Sequence, residues 1–254
     1  ELVSGLQYKN YHEPFMGGAS VFFALEEPGM SYLSDMNEEL ISAFSAVRDN
    51  PQRVIGYLSE FSNDGECYYA VRESEPRGKY QRAARFLYLN AYSFNGIYRV
   101  NKQGKYNVPY GYRKNIRIDY ERILRVSKKL EKAVLIAQDF ADAKENIKAE
   151  DLVFLDPPYV VPKESSEVFI KYNQTLFSLE DQHRLADLID WIDDQQAYFI
   201  LTNAYDETIL KIFQDRGGGR VITRERSSLI GGKQAYRGKI QEYIFTNIPE
   251  RKEL

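Results

Sequence analysis

The sequence predicts an α/β fold: an open sheet of the nucleotide-binding kind, with a basic, aromatic-rich segment set into it. Three observations lead there. Leu152-Val153-Phe154-Leu155 is apolar and partly β-branched and reads as a buried strand, which Asp156-Pro157-Pro158 ends, since proline neither donates to a ladder nor continues a helix. That strand delivers a carboxylate and Tyr159 at its carboxyl end, the edge where open α/β sheets bind ligands. Next, Tyr8 to Glu13, the loop Pro14-Phe15-Met16-Gly17-Gly18, and Ala19 to Leu25 read as strand, glycine loop and helix. Two adjacent glycines let a ligand approach the backbone without Cβ interference. Taken singly, either motif is also compatible with an ordinary turn. The third observation is a segregation of charge: Arg77 to Lys132 holds fifteen Lys and Arg against three acids, a net +12 where the rest of the chain is -15.

Composition excludes several classes. A chain of 254 residues with 43% hydrophobic content has material for one large domain, or for a domain with an insertion. No apolar stretch approaches the roughly 18 residues of a membrane span, and no charged-then-apolar leader is present, so a cytoplasmic location is expected. Cys67 is the only cysteine, and with His12 and His183 the only histidines, neither a disulfide nor a metal is expected. The first residue is Glu1 and not Met, so a longer natural chain is expected. The overall net charge of -3 argues against a nucleic-acid partner, but the basic segment, with ten interleaved Phe and Tyr, argues for one. A solvated basic surface over core aromatics is the alternative.

In chain order, Ser31 to Ser34 reads as a second strand delivering Asp35, a position where α/β nucleotide binders hold a ribose; Asp35 or Asn37 would equally cap the next helix, Asn37 to Asn50. Pro51 suits the first turn of a helix reaching Phe61, and Asn63-Asp64-Gly65 breaks the pattern. Tyr80 to Ala91 is helical, with Arg82 and Arg85 on one face and Phe86, Leu87 and Leu89 turned inward. Asn90 to Asn101 reads as a presented loop, Tyr106 to Pro109 as extended, Tyr110 to Lys114 as an exposed basic-aromatic tip, and Asp119 to Glu131 as a helix. Ala133 to Ala137 is a strand ending in Gln138-Asp139-Phe140, which suits an adenine ring. After a long loop from Val160 to Phe177, Ser178-x-x-Asp181 starts a helix to Asp193. Ala197 to Thr202, Val221 to Arg226 and Glu242 to Thr246 are strands, Asp206 to Gln214 is a helix, and Gly231-Gly232 lies in a basic loop.

Glu13 to Gly18 with Val21-Phe22-Phe23, Asp35-Met36-Asn37, Leu87 to Asn90 through Asn107-Val108-Pro109-Tyr110-Gly111, Asp156 to Tyr159, and Arg226-Ser227-Ser228 together resemble the Dam family of DNA adenine N6-methyltransferases. The likeness runs through nearly the whole chain in one consistent order. It implies a Rossmann-like sheet that binds S-adenosylmethionine (AdoMet), over residues 1–55 and 133–254, and an inserted, mainly helical DNA target-recognition domain over residues 56–132. The implied product is S-adenosylhomocysteine, and the implied partner is duplex DNA in a bacterial or phage-infected cell. A monomer is expected.

The resemblance implies a role for each matching residue. Pro14, Phe15, Met16, Gly17 and Gly18 form the cofactor loop, Asp35 is the ribose acid with Met36 also in the cofactor site, and Asp139 and Phe140 line the adenosine pocket. Asp156, which also borders the cofactor, forms the catalytic motif with Pro157, Pro158 and Tyr159. Asn95 and Arg99 read bases, Phe94 lies near the displaced partner base, and Tyr112 and Arg113 contact the backbone; an arginine in the major groove reads guanine O6 and N7, which favours GATC. Two departures stand out. No aromatic-lysine-tryptophan-glycine-lysine motif precedes Glu1, and Met16-Gly17-Gly18 replaces the usual alternation of small residues. Three other readings remain: an RNA adenine methyltransferase, a protein amide methyltransferase, and a DNA-binding relative without catalysis.

Overall fold

The computed structural model describes residues 2–26, 29–101, 103–113, 115–158, 177–227 and 239–250. Tyr159, most of the long loop after it, Lys102, Lys114, Ser228 and Gly231-Gly232 lie outside the described residues. The chain folds as two compact units, Glu1–Met36 with Gln138–Leu254, and Asn37–Ala137. The second begins before the insert at residues 56–132 that the resemblance implies, since it also takes in the stretch from Asn37.

The first unit is built on parallel strands. β1 (Tyr11–Glu13) pairs in parallel with β2 (Ser31–Asp35) on one side and β4 (Leu152–Leu155) on the other, and β4 pairs in parallel with β5 (Tyr198–Ala204). β7 (Lys239–Thr246) then runs antiparallel to both β5 and β6 (Arg220–Ser227), giving the order β2-β1-β4-β5-β7-β6 within this unit. The chain leaves β1 toward β2 and later returns on its other side to β4. In open α/β sheets ligands bind at such a reversal, outside the carboxyl ends of the strands, which here are β1 and β4. β1 is shorter than expected because Lys9 and Asn10 spend their N–H groups elsewhere, on Glu150 O at 2.9 Å and Asp151 Oδ1 at 3.1 Å. Asp151 also accepts from His12 Nε2 at 2.9 Å, tying the starts of β1 and β4 together.

Among the described residues, three α-helices complete this unit. α1 (Ser20–Ala24) is short, because Ala19 before it is left-handed at φ 50°. α7 (Leu179–Asp194) opens with the expected capping box, Ser178 and Asp181 exchanging bonds, and α8 (Glu207–Phe213) is capped by Asp206. Leu185, Leu188, Ile189 and Ile192 of α7 pack with Val153 and Leu155 of β4 and Phe199 and Leu201 of β5 into one core.

The second unit holds β3 (Ala133–Ala137) and five helices: α2 (Glu38–Asp49), α3 (Pro51–Ser59), α4 (Gly65–Glu73), α5 (Lys79–Tyr92) and α6 (Tyr120–Leu130). Asn37, not Asp35, caps α2, accepting from Glu39 N and Leu40 N, each at 3.1 Å. α4 departs from the sequence expectation. Asp64 both ends the preceding turn and caps the new helix, accepting from Cys67 N at 2.8 Å, so a residue with the signature of a breaker is an N-cap. α5 extends to Tyr92, into the stretch expected to be a loop, because Tyr92 is buried. Among the described residues, no helix is long and apolar enough to cross a membrane.

Candidate active site

The parallel register brings three acids to neighbouring strand ends, Glu13 on β1, Asp35 on β2 and Asp156 one residue beyond β4. Asp156 is exposed, whereas Leu155 before it and Pro157 after it are buried, so the carboxylate projects from a fixed backbone. The register Leu155↔Leu201 sets Thr202 beside it, and the Thr202 hydroxyl donates to Asp156 Oδ1 at 2.6 Å. Among the described residues, Asp156 Oδ2 carries no hydrogen bond, which leaves it as an acceptor on an exposed side chain. Pro158 is exposed, and Tyr159 lies outside the described residues.

The glycine loop divides by role. Pro14 and Met16 are buried, Met16 N–H donates to Ser34 O at 2.9 Å, and Phe15 stacks on Phe140 at 5.1 Å. Those three anchor the loop, and Gly17 and Gly18 are what it exposes. Gly17 has φ 43°, a conformation costly for a residue with a Cβ, and its N–H donates to Asp35 Oδ2 at 3.1 Å. A Cβ at Gly17 or Gly18 would meet nothing within 4 Å, so there is open space over this backbone. Met36 beside it is 72% exposed. Open backbone next to a strand-end carboxylate fits a nucleoside cofactor.

Asp139 and Phe140, the residues expected at an adenosine, both have protein partners. Phe140 is buried, with Phe15 on one side and the Arg184 guanidinium 4.8 Å from its centroid. Asp139 accepts from Arg184 Nη2 at 2.6 Å and from Ala141 N at 2.9 Å. Phe140 is therefore a core anchor under the loop. Gln138 N–H donates to Asp35 O at 3.1 Å.

In the second unit the residues expected to contact DNA are all exposed: Phe94, Asn95, Arg99, Tyr112 and Arg113. Asn95 is left-handed at φ 56°, which asparagine tolerates, and Tyr112 at φ 52° is 72% exposed, a rare backbone for a bulky residue and of the kind found at functional tips. Most other aromatics of the basic segment are core. Tyr88, Tyr92, Tyr106 and Tyr110 are buried, and the hydroxyls of three of them serve the loops: Tyr88 donates to Ser62 O at 2.7 Å, Tyr106 to Ile97 O at 2.9 Å and Tyr110 to Asn63 Oδ1 at 2.7 Å. Arg85 is also committed, to Val71 O and Arg72 O, so the interleaved composition overstates the free basic and aromatic surface.

Two residues of the first unit were missed by sequence reasoning. Thr202 has a signal in retrospect, a hydroxyl at the end of the strand next to the one carrying Asp156. Glu13 is 3% exposed, accepts from the Tyr11 hydroxyl at 2.9 Å and Phe22 N–H at 3.2 Å, and links the strand end to α1. Burial, with a smaller contribution from the charge of Asp156, pushes its carboxyl up to about 7 against those two bonds. Its signal is an acid closing a buried strand immediately before proline.

Residues 1–227 match the family model described as D12 class N6 adenine-specific DNA methyltransferase. The chain is 34% identical to a Type II methyltransferase, M1.LlaDCHI, of Lactococcus lactis subsp. cremoris, over 95% of this chain and 87% of that protein. It is 33% identical to the Type II methyltransferase M.MjaIII of Methanocaldococcus jannaschii, over 89% of this chain and 84% of the relative. To the DNA adenine methylase of Escherichia coli K12 it is 28% identical, over 91% of this chain and 84% of the relative.

Proposed function

The chain belongs to the D12 class of N6 adenine-specific DNA methyltransferases, and from that premise we propose that it methylates N6 of an adenine flipped out of duplex DNA, at GATC. The observation that supports this best is the exposed Asp156 carboxylate, fixed between buried neighbours and oriented by Thr202. Gly17, Gly18, Asp35 and Met36 would hold AdoMet, which supplies the electrophilic methyl when bound. Phe15, Met16 and, less directly, Asp139 and Phe140 support that loop from below.

The chemistry required of the protein follows from adenine. Its N6 lone pair is delocalised into the ring, so the amine is a weak nucleophile until its hydrogens are bound by acceptors that favour a pyramidal nitrogen. Asp156 Oδ2 accepts one hydrogen and the Pro157 carbonyl the other, and both interactions strengthen as positive charge develops on N6. The surplus proton then leaves to Asp156 or to water. Since N6 is not reachable inside a duplex, the base must be extruded at a cost of a few kcal/mol, which stacking on Tyr159 offsets in part. Asn95 and Arg99 would read the site, with Phe94 near the orphaned base and Tyr112 and Arg113 on the backbone. The GATC assignment follows from the likeness of these positions to the Dam family. The names of the Type II relatives make a restriction-modification system in the cytoplasm the setting we propose.

The test is transfer of labelled methyl from AdoMet to duplexes identical except for GATC or a scrambled site. Label on N6 of the GATC adenine alone is expected. Label on both duplexes keeps the reaction and overturns the target, and DNA binding with no label on either overturns the enzymatic reading.

A further inference from the structure

Arg99 does not hang free in solvent. Its Nε–H donates to Asn107 Oδ1 at 2.8 Å, and the Asn107 backbone N–H donates back to the Arg99 carbonyl at 3.1 Å. The two residues face each other across a tight hairpin, closed by the Val100–Tyr106 bridge and by Asn101 N–H donating to Lys105 O at 2.8 Å. Asn101 Oδ1 accepts from the backbone N–H of Gln103 and Lys105, at 2.9 and 3.0 Å, which fixes the turn. The hairpin is seated on its unit by Tyr106, which is buried with its hydroxyl on Ile97 O. Asn107 is half-buried and Arg99 is exposed.

A guanidinium offers parallel N–H pairs either side-on, Nε with one Nη, or end-on, Nη1 with Nη2. The Asn107 bond occupies Nε–H and so withdraws the side-on pair. Among the described residues neither Nη of Arg99 has a hydrogen-bond partner. We propose that Asn107 is a positioning residue for base reading: it holds Arg99 so that the terminal Nη pair alone is presented, end-on, to the O6 and N7 acceptors of one guanine. This rests on the assignment of Arg99 as a base reader made above. Orienting a long, rotamer-rich side chain before DNA arrives lowers the ordering cost of binding, and it confines that gain to a base whose acceptors match the pair.

The test first maps the methylated site by sequencing DNA treated with the protein, then replaces each guanine of that site in turn by 7-deazaguanine, which pairs normally but lacks N7. The readout is the ratio of kcat/KM on normal and substituted duplex. For one guanine the wild type should lose about tenfold, within the range of a bidentate base contact. Asn107→Ala should bring that ratio close to one with its AdoMet affinity, read by calorimetry, unchanged; Asn107→Asp, which keeps an oxygen acceptor for Nε–H, should retain the wild-type ratio. A wild-type ratio in Asn107→Ala, or equal losses in both Asn107 variants, would overturn the inference even if Arg99→Ala abolishes discrimination. Should Arg99→Ala keep the wild-type ratio, or no guanine be sensitive in the wild type, the base-reading assignment itself fails.

Discussion

The carboxyl edge of the sheet in the first unit and the segment 93–113 of the second hold their candidate residues in place by different means. At the edge, Glu13, Asp35 and Asp156 follow from ladder register, so each is fixed by a run of mutually supporting backbone bonds. In segment 93–113 regular pairing is reduced to the isolated bridges Ser93–Tyr110 and Val100–Tyr106. There the backbone is held by single bonds from far away in sequence, such as Tyr68 hydroxyl to Val108 O at 3.0 Å and Asn63 Nδ2 to Arg113 O at 3.1 Å. A ladder resists loss of one bond because its neighbours persist, whereas a loop pinned by side chains changes shape when one pin is removed. The proposed catalytic carboxylate thus sits on the laddered part, and the proposed sequence-reading residues sit on the part that single substitutions can reshape.

Three experiments bear on that contrast. The largest effect is expected at the rigid edge: Asp156→Ala should lower kcat about 10³-fold, the scale for removing a group that stabilises developing charge, with little change in AdoMet affinity by calorimetry. Retained methyl transfer would remove Asp156 from the chemistry. A smaller effect is expected from the strain of burying an acid in that edge. Glu13 is raised from 4.5 to about 7, chiefly by burial, so its contribution to stability is full below its unfolded value and is lost as pH rises through 7. The loss amounts to roughly 3 kcal/mol, counting 1.36 kcal/mol per unit. Glu13→Gln cannot ionise, so its urea midpoint should gain on the wild type between pH 5 and pH 8; parallel profiles for the two proteins would show that Glu13 is ionised throughout.

The smallest effect distinguishes two glycines. A Cβ at Gly111 would lie 2.6 Å from Ser93 O and 3.1 Å from Phe94 N, backbone atoms of the same loop. Gly111→Ala should cost about 2 kcal/mol of stability and reduce discrimination between target and scrambled duplex. Gly18→Ala meets open space, so its stability should stay within about 0.5 kcal/mol while AdoMet binding weakens. Equal denaturation midpoints for the two variants would erase the distinction between a glycine required by packing and one required by a ligand.

Local signals in the sequence are legible wherever the partners are close along the chain. The strand Ala133–Ala137, the capping box of Ser178 and Asp181, and the cap at Asp119 all depend on residues within a few positions of one another. Asp64 shows the limit of such signals, since one asparagine-aspartate-glycine pattern serves equally to end a turn and to start α4. Phe140 shows another: the sequence places an aromatic at a strand end but does not tell that it is buried with Phe15 and Arg184 against its ring.

By itself the sequence carried the resemblance to the family through its ordered motifs, and it determined buried strands and the acids that end them, because an apolar run stopped by Asp-Pro-Pro or by Pro-Phe-Met-Gly-Gly has few backbone solutions. Only the tertiary structure decided which neighbours those groups acquire. Thr202 meets Asp156 and Asn107 meets Arg99 through a strand register and a hairpin closure, and the tyrosines of the basic segment turn inward because their rings are buried while their hydroxyls satisfy loop carbonyls. Such pairings are set by the joint burial of apolar surface and the pairing of buried polar groups over the whole domain, and no short stretch of chain carries that information.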